Sequence, residues 1–228
     1  MPETPALRVR GLRFRYPGAD RDAVRVHHLE LAPGEQALLT GGSGRGKSTL
    51  LHLVAGLIDP DEGTVEIGGS DVHAVRGAAR DRLRGERLGM VFQTFHLLQG
   101  FSALENVMLA LTFTRVPPKE HRERAAELLA RLGIDRHDAP PESLSVGQQQ
   151  RVAVARALVA RPALVLADEP TASLDPENAA AAVDLLEEVC RERGAALLCV
   201  SHDPSLAGRF PRVLRLDQLA GEPAEAAR

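Results

Sequence analysis

Eight residues near the start of the chain have the composition and spacing of a phosphate-binding loop. Residues 41–48 read GGSGRGKS and match the pattern G-x-x-x-x-G-K-[ST] at every position. Glycines let the backbone curl so that its N–H groups point at phosphate oxygens. Lys47 can then reach the outer phosphates, and the Ser48 hydroxyl can bind Mg²⁺. Because Lys47 and Lys119 are the only lysines of the chain, the place of Lys47 in this loop is informative.

Two adjacent carboxylates follow an apolar stretch much later in the chain. Residues 163–167 read ALVLA, which predicts a buried strand, and Asp168 and Glu169 come directly after it. Side chains at successive positions of a strand point in different directions. One carboxylate can therefore hold Mg²⁺ while the other faces an attacking water. The competing interpretation is a solvated strand end, and the phosphate loop upstream argues against it.

These groups need strands and helices that bring them together, and the sequence predicts both in alternation. The predicted strands cover residues 6–16, 24–32, 35–40, 63–67, 88–92, 163–167, 195–200 and 212–216. A helix follows the phosphate loop, several fill residues 102–160, and one covers about 177–193. Strands that alternate with helices imply a parallel sheet.

The expected fold is therefore an α/β P-loop NTPase with a mostly parallel central sheet, an N-terminal antiparallel β part and an inserted α-helical subdomain. We expect one domain over residues 6–228. Its nucleotide-binding core would comprise 1–92 and 161–216, and the helical subdomain would comprise about 93–160. A frayed tail is expected over 217–228, where Ala and Glu dominate.

Composition excludes several classes of protein. A net charge of -3 and a pI near 6.3 argue against a general nucleic-acid binder. No apolar run is long enough for a transmembrane helix, and the N-terminus does not read as a secretory signal. Cys190 and Cys199 lack the spacing of a metal site. We expect both to be buried free thiols in a reducing compartment, since a disulfide is the less favoured alternative.

A further motif, LSVGQQQ at residues 144–150, opens a helix. Ser145 is a good N-cap, and Gln148 falls three residues later, as a capping box requires. This motif lies between Gln93, which follows the strand LGMVF, and His202, in VSHD at the end of a strand. The set of motifs and their order strongly resemble the ATP-binding subunits of ABC transporters over roughly residues 6–216.

The resemblance implies a role for each motif. Tyr16 would stack on the base, and Gln93 would sense both Mg²⁺ and the attacking water. Asp168 would hold Mg²⁺, with Ser48 and Gln93 as its other ligands. Glu169 would be the catalytic base, assisted by His202, Gln93 and Lys47. The ATP-binding residues of the loop would be Gly41, Gly42, Ser43, Gly44, Arg45, Gly46, Lys47, Ser48 and Thr49.

The resemblance also implies partners. Two copies of the chain would pack head to tail, and Ser145, Gly147, Gln148 and Asp175 would contact the ATP of the facing copy. Asp175 belongs to the loop SLD at 173–175, which would cross to the partner. Val146 departs from the usual glycine of the signature Leu-Ser-Gly-Gly-Gln, and we expect it to be tolerated.

A separate membrane permease would dock near Gln93–Phe101, where aromatic residues are concentrated. Phe95 and Phe101 could equally be core residues of the helical subdomain. The chain would then be cytoplasmic and peripheral on the inner face of the cell membrane. The expected activity is hydrolysis of ATP coupled to transport.

The segment VFQTFHLLQGFSALENV at 91–107 is most similar to the subgroup that serves lipoprotein release and macrolide efflux. Subunits for amino-acid import and for cell division are alternatives, as is a soluble regulatory ATPase without transport. A P-loop kinase is the remote option, because it would leave the signature helix and His202 without a role.

Overall fold

Two sheets and seven α-helices are the main elements of the part of the chain that the structure describes. The structure is a computed structural model that describes residues 4–42, 44–172, 174 and 176–221, without the side chains of 176–178. The strands are β1 (Leu7–Phe14), β2 (Val24–Leu31), β3 (Gln36–Thr40), β4 (Glu62–Ile67), β5 (Ser70–Asp71), β6 (Leu88–Val91), β7 (Leu164–Asp168), β8 (Ala196–Val200) and β9 (Arg212–Arg215). The helices are α1 (Lys47–Val54), α2 (Ala78–Arg87), α3 (Ala103–Met108), α4 (Pro118–Arg131), α5 (Val146–Leu158), α6 (Pro176–Arg193) and α7 (Leu216–Leu219).

The central sheet has the order β6-β7-β8-β3-β9, and all its neighbouring strands are parallel. The second sheet has the order β2-β1-β4-β5 and is antiparallel. This arrangement confirms the α/β fold with its mostly parallel central sheet and antiparallel N-terminal part. Residues that follow β3, β6, β7 and β8 meet at one edge of the central sheet, which is where ligands bind in open α/β sheets.

Two hydrophobic cores lie on opposite faces of the central sheet. Successive strand residues point to opposite faces, so Leu164 and Leu166 pack toward β1, β2 and α1. Val165 and Ala167 pack instead toward the helices α3 to α6. Strands buried on both faces are apolar at every position, as the sequence of β7 shows. The sheet is therefore packed on both faces and gives rigid support to the loops at its edge.

The structure differs from the sequence prediction at two helices. α2 was not predicted, because none of its residues is buried and its sequence carries no apolar periodicity. α7 lies where the sequence predicts the start of a frayed tail at residue 217. Leu216 is buried and packs in the core beside β1 and β2, which fixes this last turn. Residues 222–228 lie outside the described part of the chain.

Candidate functional site

The phosphate loop connects β3 to α1 and is shaped by its glycines. Gly44 and Gly46 have φ values of 71° and 90°, which L-residues rarely adopt. A Cβ at Gly46 would also collide with the carbonyl oxygen of Ala23. Lys47 is buried, and its Nζ donates to the carbonyl oxygens of Gly41 and Gly42, at 2.8 and 3.1 Å. The charged Lys47 ammonium group therefore lies inside the curved backbone of the loop.

The predicted magnesium ligands of the loop and of β7 are in contact. Ser48 Oγ donates to Asp168 Oδ1 over 3.2 Å, although the two residues are 120 positions apart. Burial raises the pKa of Asp168, the Ser48 hydrogen bond lowers it, and the neighbouring charge of Glu169 raises it further. Hydroxyl, carboxylate and amide oxygens are ligands that Mg²⁺ prefers, so Ser48, Asp168 and Gln93 have suitable chemistry. Among the described residues, no cluster of three His, Cys, Asp or Glu side chains offers a different metal site.

Glu169 begins the loop after β7 and is held by three hydrogen-bond donors. Its Oε1 lies 2.9 Å from His202 Nδ1, and its Oε2 accepts from Ser201 Oγ at 3.2 Å and from the His202 N–H at 3.3 Å. Its φ of 47° is unusual for a residue other than glycine, and Pro170 disfavours the right-handed helical region there. The contact between Glu169 and His202 brings two predicted catalytic residues together from different strands.

Ser201 also belongs to the site, although no motif of the sequence predicts it. It is only 1% exposed, donates to Glu169, and accepts from the Asp203 N–H at 3.1 Å. The sequence feature that indicates its role is its position directly before His202 at the end of β8, because a side chain there reaches the same edge of the sheet.

Tyr16 lies at the outer rim of the site. Its hydroxyl shares a hydrogen bond of 3.0 Å with Thr49 Oγ1, and its ring meets Phe14 edge to face at 4.9 Å. The side chain remains 46% exposed, so one face of the ring is open to a stacking partner.

One cavity of about 520 Å³ is lined by most of these groups, although not by Asp168 or Ser201. Its volume lies within the range for small-molecule sites. The predicted site residues that line it are Tyr16, Gly44, Gly46, Lys47, Ser48, Thr49, Gln93, Glu169 and His202. Gly41, Gly42 and Arg45 line a separate cavity of about 350 Å³, together with residues of β2 and α7. Ser43 and Asp175 lie outside the described residues.

The start of α5 does not contribute to this cavity. Ser145 Oγ accepts from the Gln148 N–H at 3.2 Å, and Gln148 Oε1 accepts from the Ser145 N–H at 3.0 Å, which completes the predicted capping box. Gln149 donates to Leu144 O, and the buried Gln150 donates to Pro170 O at 3.4 Å, beside Glu169. Thus all three glutamines anchor the start of this helix. Ser145, Gly147 and Gln148 are not lining residues of the 520 Å³ cavity in their own chain.

Comparisons with known proteins agree with this geometry. The family model "ABC transporter" matches residues 24–172. The chain belongs to the ABC transporter family. It is 47% identical over 191 residues to the lipoprotein-releasing system ATP-binding protein LolD of Pseudomonas fluorescens, covering 83% of this chain and 84% of that protein. It is 44% identical over 215 residues to LolD 2 of Caulobacter vibrioides, covering 93% and 94%.

Solved structures of ABC cassettes have the same fold. The dimeric post-hydrolysis state of the ATP-binding cassette MJ0796 with ADP and Pi has a TM-score of 0.79 and 33% identity, over 92% of this chain and 93% of that one. A second dimeric MJ0796 structure has a TM-score of 0.78 and 32% identity, over 92% and 94%. The chain is therefore an ATP-hydrolysing subunit of an ABC transporter. Cassettes of this family dimerise and act with membrane permease components. In the described part of this chain, no helix has the length and apolarity to cross a membrane.

Proposed function

We propose that this chain is the motor subunit of a lipoprotein-releasing system, bound to the cytoplasmic face of the cell membrane through its permease. The observation that carries the proposal is the identity of 44–47% to subunits named for that system, over most of both chains. The alternatives of amino-acid import, cell division and a soluble regulator are less favoured, because these relatives carry none of those names.

The proposed chemistry is transfer of the γ-phosphoryl group of ATP to water. Glu169 accepts the proton of the attacking water, and His202 orients its carboxylate through the 2.9 Å contact. Lys47 neutralises charge that develops on the phosphate oxygens. Mg²⁺ would be held by Ser48, Asp168 and Gln93 and would neutralise charge on the β- and γ-phosphates. The products are ADP and inorganic phosphate.

Another copy of the chain is the proposed partner in catalysis. Ser145, Gly147 and Gln148 lie at the start of α5, away from their own cavity, with Ser145 exposed and the other two half-buried. A helix N-terminus attracts anions, so this end can bind the γ-phosphate of a facing subunit. A Cβ added at Gly147 would meet no atom within 4 Å in its own chain, which leaves room for a facing subunit.

The permease would dock near Gln93–Phe101, the segment that follows β6. A cavity of about 440 Å³ lies between α2, β6 and α5, and apolar residues such as Met90, Phe92 and Phe113 line it. Phe113 and Phe101 are exposed, whereas Phe95 is buried. The core interpretation therefore holds for Phe95, and Phe101 is free to contact a partner. Apolar side chains around such a groove suit an amphipathic helix.

The catalytic proposal predicts the behaviour of Glu169→Gln. The amide keeps the size of the side chain but cannot accept the proton, so ATP should bind while hydrolysis becomes very slow. The closed dimer should then accumulate, since hydrolysis is the step that opens it. Nucleotide binding, phosphate release and size-exclusion chromatography with ATP measure the three properties. Turnover near the wild-type rate would contradict the role of Glu169.

The transport proposal is tested in membranes. The tagged chain is purified with the membrane protein that accompanies it and reconstituted in vesicles carrying an acylated protein. We expect ATP to release that protein into the aqueous phase. Lys47→Ala should abolish release, and Lys119→Ala, which changes the other lysine of the chain at an exposed site on α4, should not. ATP hydrolysis without release would reject the lipoprotein system and leave the ATPase assignment intact.

A further inference from the structure

The segment after β6 contains two consecutive residues in the left-handed backbone region. Phe95 has a φ of 56° and His96 a φ of 48°, and neither is a glycine. Such conformations cost of the order of 1–3 kcal/mol each and persist only where the surroundings hold them. A contact that stabilises this pair must therefore exist.

Arg156 on α5 makes that contact. Its Nη2 donates to Phe95 O at 2.5 Å, and its Nη1 donates to His96 O at 2.6 Å. The planar guanidinium matches two neighbouring carbonyl oxygens, which a lysine ammonium cannot do with the same geometry. Arg156 is half-buried, and burial lowers the pKa of its guanidinium.

Phe95 and His96 lie close in sequence to Gln93, a residue of the nucleotide cavity. Gln93 lines that cavity and precedes Phe95 by two residues. Phe92 stacks on His96 with ring centroids 4.8 Å apart, which holds together the two ends of the turn that carries Gln93. Phe92 and Arg156 also line the 440 Å³ cavity beside β6. The Arg156 guanidinium therefore lines the cavity proposed for the permease and also contacts the loop that carries Gln93.

We infer that Arg156 is a positioning residue that holds residues 92–96 in the conformation that directs Gln93 into the nucleotide cavity. The inference rests on the proposed role of Gln93 and extends it to the helix that begins at Ser145. Since Arg156 and Ser145 belong to the same helix, a movement of α5 changes the anion-binding end and the position of Gln93 together.

A double-mutant cycle on the full-length chain tests the inference. The variants are Arg156→Lys, Gln93→Ala and their combination. Arg151→Lys is the matched control, because Arg151 lies on the same helix and donates to Leu132 O, away from residues 92–96. The steady-state kcat, the KM for ATP, the Mg²⁺ concentration for half-maximal activity and the melting temperature are measured for each.

Arg156→Lys should lower kcat by about tenfold to a hundredfold, the range expected when a reacting group is misplaced by about 1 Å. The KM for ATP should stay near the wild-type value, since the phosphate loop and Tyr16 are untouched, and the Mg²⁺ requirement should rise. In the Gln93→Ala background, Arg156→Lys should have no further effect on kcat. Arg151→Lys should behave as wild type.

Different results would reject the positioning role of Arg156 and the proposed role of Gln93. Independent, multiplicative losses in the double variant would overturn the positioning role of Arg156 while leaving Gln93 in the site. An unchanged kcat in Gln93→Ala would reject the proposed role of Gln93 and the inference with it. A fall in melting temperature that accounts for the whole loss of activity in Arg156→Lys would show that Arg156 is only structural.

Discussion

Val146 shows how a single residue can depart from a motif without disturbing the structure around it. It occupies the first position of α5 with 51% of its surface exposed, and the capping box formed by Ser145 and Gln148 is intact. Valine is a better helix former than glycine by a few tenths of a kcal/mol. The substitution therefore stabilises the helix start, and any cost must come from the bulk presented to the facing subunit.

Val146→Gly should accordingly change kcat by less than about tenfold, a difference of 1.4 kcal/mol in the barrier. It should also lower the free energy of unfolding by a few tenths of a kcal/mol, because glycine loses more backbone entropy on folding. Steady-state ATPase assays and urea unfolding measure the two effects. Val146→Ala removes bulk without adding flexibility and is the control. A gain of several orders of magnitude in Val146→Gly would contradict the expectation.

Residue types and spacing are sufficient to predict most of the cavity lining. Lys47, Ser48 and Glu169 lie where the motifs predict them, because such motifs combine a backbone shape with a fixed chemistry. The hydroxyl of Ser201 and the carbonyl contacts of Arg156 were not predictable from the sequence. They depend on which side chains the folded sheet and helices bring within 3.5 Å, and sequence spacing does not contain this information.

At the level of elements, the packing of α5 on β6 depends on one glycine. A Cβ at Gly89 would collide with the carbonyl oxygen of Ala157 and lie 3.3 Å from its side chain. The helix can approach the strand closely only because this side chain is missing. The same contact fixes the distance between the C-terminal end of α5 and β6, the strand that precedes Gln93.

Gly89→Ala should therefore destabilise the protein by about 1–3 kcal/mol, the usual cost of overpacking a core. The melting temperature should fall by several degrees, since 1 kcal/mol corresponds to about 2–4 °C in a chain of this size. Gly208→Ala is the matched control, because no atom lies within 4 Å of its added Cβ. Thermal unfolding measured by circular dichroism compares the two. Equal melting temperatures would show that α5 has room to shift.

Elements with a buried apolar pattern were predictable, whereas exposed ones were not. β7 and β8 read as continuous apolar runs and were predicted within a residue or two of their observed ends. α2 has no buried residue, so its helical state depends on its neighbours rather than on a pattern in its own sequence. The short α7 is fixed by Leu216, a contact that becomes visible only when the sheet is assembled.

At the scale of the whole molecule, the reactivity of the two cysteines can show how the core unfolds. Cys190 on α6 and Cys199 on β8 are fully buried free thiols within the same core, as the sequence predicts. Burial raises the pKa of Cys190 to about 12 and also raises the pKa of Cys199. Because the thiolate is the reactive form, neither should react in the folded state.

Reaction with a thiol reagent therefore requires opening of the core, and the kinetics show how much of the molecule opens at once. If the helices and the central sheet unfold as one unit, the variants Cys190→Ala and Cys199→Ala should each label their remaining thiol at the same rate. In denaturant, the wild-type chain should label two thiols immediately. Unfolding rates of both variants, measured in parallel, correct for the small cavity that each substitution leaves. Rapid labelling of Cys190 alone would mean that α6 detaches from the sheet independently. The sheet edge that carries Asp168 and Glu169 would then keep its structure while the adjacent helix moves.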